Sequence, residues 1–162
     1  MIGWQVAGGT GGPAPVAWET APGGGRSTRT PLPGAGTSGA ATAARCADTT
    51  CAVSGRVDGA LALWRLTGGT WTRVAGLPTV PVGDRDPLPA PLNPAGPLVQ
   101  IVSHGPRIEV LTVDGATTTV RPVEGPTGVV VSAVEAGGSV YLLAGPDAGT
   151  PQLWRADAAA LR

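Results

Sequence analysis

Short apolar runs and turn-forming clusters alternate along the whole chain. Val and Leu occur in runs such as GVVVSAV at 128–134, and Gly, Pro, Asp and Thr lie between the runs. Strands joined by tight turns have this pattern. The nearest approach to a helical period is RADAAALR at 155–162, which is too short to form a stable helix alone. The pattern therefore predicts an all-β chain.

One sequence pattern recurs along the chain. An apolar residue, a small residue and a glycine are followed nine or ten residues later by a tryptophan, at 6–18, 53–64 and 143–154. A weaker copy at 102–113 ends in Val113 instead of tryptophan. The glycines that anchor the three strong copies are Gly8, Gly55 and Gly145. Counting the weaker copy, the period is about 46 residues, a length typical of a repeated unit of four short strands.

Four-stranded repeats of this length are the blades of β-propellers. The predicted blades span roughly residues 1–35, 36–80, 87–125 and 126–162. Together they make a single propeller-like segment over 1–162, with about 3.5 four-stranded blades in an incomplete or irregular ring. Another antiparallel β-sheet repeat or a sandwich is the alternative. Because the chain opens on a second strand and ends after a third, we expect a fragment of a longer chain.

The second blade can be assigned strand by strand. Its strands are predicted at 42–47, 50–55, 60–67 and 70–76. Gly68 and Gly69 form a two-residue turn that requires positive φ, which places Leu66 opposite Trp71 and Trp64 opposite Arg73.

The third blade is less regular. Strands are predicted at 97–105, 107–113 and 116–123, with a turn at Asp114 and Gly115. Its opening strand would come from the Pro-rich segment 86–96, and proline cannot donate to a strand ladder. That strand is therefore either degenerate or missing.

Composition and charge exclude several classes of protein. The chain has eleven basic and eleven acidic side chains and a formal charge of zero, with the arginines scattered from Arg26 to Arg162. Without a basic stripe, nucleic-acid binding is not expected. No apolar run is long enough to span a bilayer. The N-terminal residues lack the basic and apolar regions of a signal peptide.

The two cysteines, Cys46 and Cys51, lie on either side of the predicted loop ADTT. Facing residues of an antiparallel pair lie within the Cα separation that a disulfide needs. Free buried thiols and a metal site are the alternatives, although a zinc site wants about four ligands and His104 is the only imidazole. A disulfide would indicate an oxidising compartment, and hence a secreted, cell-surface or periplasmic protein.

The stretches AARCADTTCAVSG at 43–55 and LALWRLTGGTWTRV at 61–74 resemble a blade of secreted, high-GC bacterial β-propellers of the sialidase-like, BNR-repeat type. The resemblance covers residues 40–77, and those blades often carry a cysteine pair in their first hairpin. The sialidase Asp-box has an aspartate five residues before its tryptophan, where this chain has Leu66. The arginine cluster and nucleophile of sialidases match no positions here. The resemblance therefore implies the fold and not the catalysis.

No catalytic residue, metal site or cofactor is predicted. His104, in the turn SHGP, would need a nucleophile and an orienting carboxylate to act as a catalytic base. Asp84 and Asp86 are too few for calcium, which takes six to eight oxygen ligands. The glutamates that could form a glycosidase pair are Glu109, Glu124 and Glu135, but a chain with eleven acids always offers such pairs.

The tryptophans are the remaining candidates for a ligand site. At repeated strand positions they are expected to fill the space between blades. Trp4, Trp18 and Trp71 are the candidate ring platform for a sugar. The expected function is a non-catalytic extracytoplasmic module that binds a protein or glycan through its loops, and the alternatives are a fragment of a sialidase-like hydrolase and a purely structural segment. Open blade faces predict self-association, or packing against missing blades of a longer chain.

Overall fold

The computed structural model describes residues 1–6, 12–20, 24–146 and 148–161. Within these ranges the chain is all-β, as predicted, with thirteen strands in four antiparallel sheets. Sheet 1 contains β1 (Ile2–Val6), β2 (Pro13–Thr20) and β3 (Ser27–Pro31). Sheet 2 contains β4 (Gly39–Ala47), β5 (Thr50–Val57), β6 (Ala60–Thr67) and β7 (Thr70–Arg73). Sheet 3 contains β8 (Leu98–His104), β9 (Arg107–Asp114) and β10 (Thr117–Pro122). Sheet 4 contains β11 (Val129–Ala136), β12 (Ser139–Gly145) and β13 (Gln152–Asp157).

A single 3₁₀ turn, Ala158–Leu161, follows β13 in the described part of the chain. It occupies the place of the short C-terminal segment that came nearest to a helical pattern. None of the described helical structure is long and apolar enough to cross a membrane.

Sheet 2 follows the predicted strand order and register. Gly68 and Gly69 have φ values of 58° and 77°, so the turn between β6 and β7 has the positive backbone angles expected of it. Leu66 pairs with Trp71, and Trp64 pairs with Arg73.

Sheets 1, 3 and 4 each have three strands. For sheets 1 and 4 this is the number expected of a chain that opens on a second strand and ends after a third. In sheet 3 the missing strand is reduced to one residue of the Pro-rich segment. Leu92 and Val99 exchange both backbone hydrogen bonds, at 2.8 and 3.1 Å, at the free edge of β8. Prolines on both sides of Leu92 leave too few N–H donors for a longer ladder.

Each sheet packs face to face on the next one along the chain, and each of the three seams is apolar. The seam between sheets 1 and 2 contains Ala17, Leu32, Val53 and Trp64. The seam between sheets 2 and 3 contains Leu61, Leu63, Leu98 and Leu111. The seam between sheets 3 and 4 contains Ile101, Val110, Ala133 and Leu142. For each sheet, we call the face toward the sheet before it in the chain the preceding face. The opposite face, toward the next sheet, is the following face. Sheets 2 and 3 bury both of these faces.

The repeated tryptophans occupy equivalent places in three sheets. Trp64 pairs with Val53 in the seam with sheet 1, so it lies on the preceding face of sheet 2. Trp154 pairs with Leu142 in the seam with sheet 3, and so lies on the preceding face of sheet 4. Trp18 lies on the face of β2 opposite to Ala17, which packs toward sheet 2. All three therefore lie on preceding faces.

The glycines do not all follow the predicted equivalence. The Trp64 ring lies over Gly55, and the Trp18 ring lies over Gly3 in the same way. In sheet 4 the corresponding residue is Ala144, which pairs with the residue two before Trp154, and Gly145 is displaced by one position. Gly8, the predicted anchor of the first copy, lies outside the described residues.

Arg45 connects sheets that are not neighbours in sequence. It lies on β4, and its Nη2 donates to the carbonyl oxygen of Ala133 on β11 at 2.9 Å. Its Nε donates to the carbonyl oxygen of Pro91 at 3.1 Å. The first strands of sheets 2 and 4 therefore approach each other through one side chain.

Candidate functional site

The long linker between β7 and β8 forms one wall of the candidate site, and it is held against sheet 2. The backbone of Leu61 donates to Val80 at 2.9 Å, and that of Val82 donates to Gly59 at 2.8 Å. These bonds fix the linker beside the start of β6.

Two further contacts hold the same linker. Asp84 forms an ion pair with Arg56 of β5, with 2.6 Å between Oδ1 and Nη1. The carbonyl of Pro89 accepts hydrogen bonds from Ser54 Oγ at 3.0 Å and from Gln100 Nε2 at 3.1 Å, and both of those side chains are fully buried. A segment with few backbone donors is thus anchored through its carbonyls and side chains.

The linker between β10 and β11 forms the opposite wall. Gly128 N donates to the carbonyl of Pro106 in the β8–β9 turn at 2.8 Å. Val130 N donates to Ser103 Oγ at 2.9 Å. This wall is therefore tied to the rim of sheet 3.

Between the two walls lies a cavity of about 810 Å³, within the size range of ligand pockets. It opens at the ends of the strands, where connecting segments meet. Most of its lining residues are apolar or glycine, and they include Val82, Pro87, Leu88, Gly105, Pro106 and Val129. We call it the linker cavity.

The rim of the linker cavity carries one cationic and one anionic side chain, Arg85 and Asp86. Arg85 is exposed and lines the cavity, and within the described residues it has no hydrogen-bond or ion-pair partner. The neighbouring carboxylate of Asp86 accepts a hydrogen bond from Gly83 N at 2.6 Å, which fixes the turn. An apolar cavity with one unpaired guanidinium favours an apolar ligand that carries a carboxylate.

The predicted ring platform is divided between two faces. Trp71 is half-buried, and its Nε1 donates to Glu19 Oε1 at 2.9 Å across the seam between sheets 1 and 2. Both Trp18 and Trp71 border a groove of about 310 Å³ there. The Trp18 ring lies over Gly3, however, on the face of sheet 1 opposite to Glu19. Trp4 of β1 pairs with Pro15 of β2, and the Trp4 side chain lies outside what the structure describes.

Cys46 and Cys51 form a disulfide, with their Cα atoms 4.0 Å apart. They face each other at the β4–β5 hairpin, as the sequence predicts. Both line the groove beside Trp71.

The weaker candidates are engaged in structural contacts. His104 Nδ1 lies 3.5 Å from Glu109 Oε2, and the His104 side chain is mostly exposed. Ser103, the nearest hydroxyl in sequence, accepts the Val130 hydrogen bond instead of contacting His104. Among the described residues, no group of three or more His, Cys, Asp or Glu side chains could hold a metal ion.

Arg85 and the linker cavity are not among the sites that the sequence predicts. The one available signal is the length of the Pro-rich segment after β7, because long connections that lack strands often carry function. Comparisons with protein-family models, with curated proteins and with solved structures found no match to this chain.

Proposed function

We propose that the chain is a non-catalytic, extracytoplasmic module that has the sheet arrangement of a β-propeller and binds an extended segment of a protein partner in the linker cavity. Support for the propeller arrangement comes from the three successive seams and from the tryptophans on three preceding faces. Support for an oxidising compartment comes from the Cys46–Cys51 disulfide.

The observation that carries the proposed function is the linker cavity itself. Its volume fits several side chains of a peptide, and its walls are fixed by backbone hydrogen bonds to sheets 2 and 3. Preformed walls reduce the entropy lost on binding. The unpaired Arg85 provides a charge-assisted contact for an acidic side chain or a terminal carboxylate.

A glycan ligand is the second candidate, and it belongs to the groove beside Trp71. That groove brings an aromatic ring together with Glu19, Asp48 and Thr49. The linker cavity, in contrast, has no aromatic side chain among its lining residues. The two candidate ligands therefore predict binding at different places.

Selection from a library of short random peptides, displayed against the immobilised chain, tests the proposal. We expect enriched sequences to combine apolar residues with an acidic residue or a free C-terminus. Replacing Arg85 with Gln should weaken their binding roughly 10- to 100-fold, because a hydrogen bond to a charged group contributes about 1.5–3 kcal/mol. Thr127→Trp, at an exposed position of the cavity mouth, should block binding while leaving the charge in place.

Arg26→Gln is the matched control, because it removes one exposed charge before β3, away from the cavity. It should leave peptide binding unchanged. Peptides that bind both cavity variants as tightly as the unmodified chain would overturn the proposed site. Binding to a glycan array that is lost in Trp71→Ala would favour the groove, and turnover of model glycosides would contradict a non-catalytic module.

A further inference from the structure

Within the described part of the chain, two sheet faces at opposite ends of the stack have no sheet packed on them. One is the following face of sheet 4, and the other is the preceding face of sheet 1. In sheets 2 and 3, the corresponding faces are buried in apolar seams. Each end face therefore corresponds to a face that sheets 2 and 3 bury against another sheet.

The following face of sheet 4 is open and carries several exposed apolar side chains, beside the exposed Arg155, which pairs with Tyr141. Leu143 of β12 pairs with Leu153 of β13, which is 71% exposed. In the next row Tyr141 pairs with Val134 of β11, which is 45% exposed. Val131, at the β-bulge of β11, is 47% exposed. Adjacent exposed apolar side chains of this kind are typical of an interaction surface.

The preceding face of sheet 1 repeats the face that sheet 2 buries. Trp18 pairs with Arg29, as Trp64 pairs with Arg73 in sheet 2. The two rings also lie over glycines in the same way. The two faces differ in how far the ring is covered, because Trp64 is fully buried by sheet 1, whereas Trp18 is only half-buried. Val16, beside Trp18 on the same face, is fully buried.

We propose that these two faces dock on each other between two copies of the chain, with sheet 4 of one copy against sheet 1 of the other. The contact continues the seam already present three times within each copy, in which a following face packs on a preceding face. It pairs two different surfaces, and two reciprocal contacts of this type close a symmetric dimer. The closed dimer would hold eight sheets, four from each copy, which is within the range of closed β-propellers. The proposal depends on sheet packing and not on the ligand of the linker cavity.

Sedimentation velocity of residues 1–162 over a concentration series, from about 1 to 200 µM, tests the proposal because dimer formation depends on concentration. We expect a reversible monomer–dimer equilibrium. Leu153→Asp, on the following face of sheet 4, and Arg29→Glu, on the preceding face of sheet 1, should each weaken the dimer at least tenfold. Val120→Asp is the matched control, because Val120 is an exposed apolar residue on the edge strand β10 and belongs to neither face.

Mixing the two variants separates this arrangement from a symmetric contact of one face with itself. A Leu153→Asp copy keeps its sheet 1 face, and an Arg29→Glu copy keeps its sheet 4 face, so the mixture should recover one intact contact and form dimers that neither variant forms alone. Circular dichroism of each variant should show unchanged β-structure. A monomer at every concentration would overturn the proposal, and so would loss of the dimer in Leu153→Asp but not in Arg29→Glu. Oligomers that grow beyond two copies would contradict the closed dimer.

Discussion

The ring of Trp64 lies over Gly55, on the neighbouring strand of the same sheet. A Cβ added to Gly55 would stand 3.0 Å from Cζ3 of Trp64 and would also collide with the backbone of Ala40 and Ala41. Trp64 is fully buried, and its Nε1 donates to the carbonyl of Pro33 at 2.8 Å. The ring therefore cannot move away without breaking a hydrogen bond in the seam between sheets 1 and 2.

Gly55→Ala should destabilise the fold by about 3 kcal/mol, the upper part of the usual range for overpacking. Gly3→Ala presses on the half-buried Trp18 ring instead, and should cost about 1 kcal/mol because that ring can shift. Gly83→Ala is the comparison at an exposed turn, since the nearest atoms to its Cβ belong to the Asp86 side chain and not to buried backbone, so it should cost less than Gly55→Ala. Urea unfolding of the three variants measures the order, and equal stabilities for Gly55→Ala and Gly83→Ala would contradict the packing described.

The disulfide should stabilise the chain mainly by restricting the unfolded state. Closing so short a loop contributes about 2 kcal/mol in the chain-entropy model, so Cys46→Ser with Cys51→Ser should lower the free energy of unfolding by about that amount. Urea unfolding of oxidised and reduced protein should show the same difference. Labelling of both thiols without reductant, detected by intact mass, would show that the bond does not form.

The pKa of Asp58 should show whether its hydrogen bonds to the loop that precedes β4 form in solution. Its carboxylate accepts hydrogen bonds from Thr37 Oγ1, Ser38 N and Thr37 N, at 2.7, 3.0 and 2.9 Å. These bonds, with the Thr37 hydroxyl contributing most, hold the pKa of Asp58 below its ordinary value. A lowered folded-state pKa gives stability that is fully present above the unfolded-state pKa and is lost as pH falls through the folded-state pKa.

Carboxyl-carbon NMR titration should therefore give Asp58 a pKa below that of an unstructured aspartate, and Thr37→Val should raise it. Asp58→Asn should reduce stability at neutral pH, and its difference from the unmodified chain should shrink as the solution is acidified. An Asp58 pKa that Thr37→Val leaves unchanged would show that the hydroxyl contact is absent in solution.

The four strands of sheet 2 follow from the sequence because the signals that define them are local. Two-residue turns at Asp58–Gly59 and Gly68–Gly69 set the register of each hairpin within a few residues. In sheet 4 the same nine-residue spacing from glycine to tryptophan includes a longer connection between β12 and β13, so Gly145 is displaced by one position from the place of Gly55. Sequence spacing alone does not distinguish these two registers.

The linker cavity could not be predicted because its walls come from separate parts of the chain. Arg85 belongs to the linker after β7, whereas Gly128 and Val129 belong to the linker after β10. What brings them together is the stacking of sheets 2, 3 and 4. The hydrogen bond from Arg45 to Ala133 likewise joins residues that are far apart in the sequence.

Arg45 should hold the first strand of sheet 4 in place. Arg45→Met keeps the aliphatic length and leaves the carbonyls of Pro91 and Ala133 without their donors, which should cost about 2–3 kcal/mol. Arg45→Lys should recover only part of the lost stability, because a compact ammonium cannot reach both carbonyls as the planar guanidinium does. Hydrogen exchange should accelerate in β11 and stay unchanged in β3, and equal acceleration in both strands would show a global loss of stability instead.

The repeated tryptophans Trp18, Trp64 and Trp154 lie on the preceding faces of sheets 1, 2 and 4. Nuclear Overhauser contacts from the Trp18 and Trp64 rings measure this placement. We expect contacts from Hζ3 of Trp18 to the α-protons of Gly3, and from Hζ3 of Trp64 to those of Gly55. Contacts from the Trp18 ring to Leu66 and Cys51 would place that ring in the groove beside Trp71, and would contradict the equivalence of the two sheets.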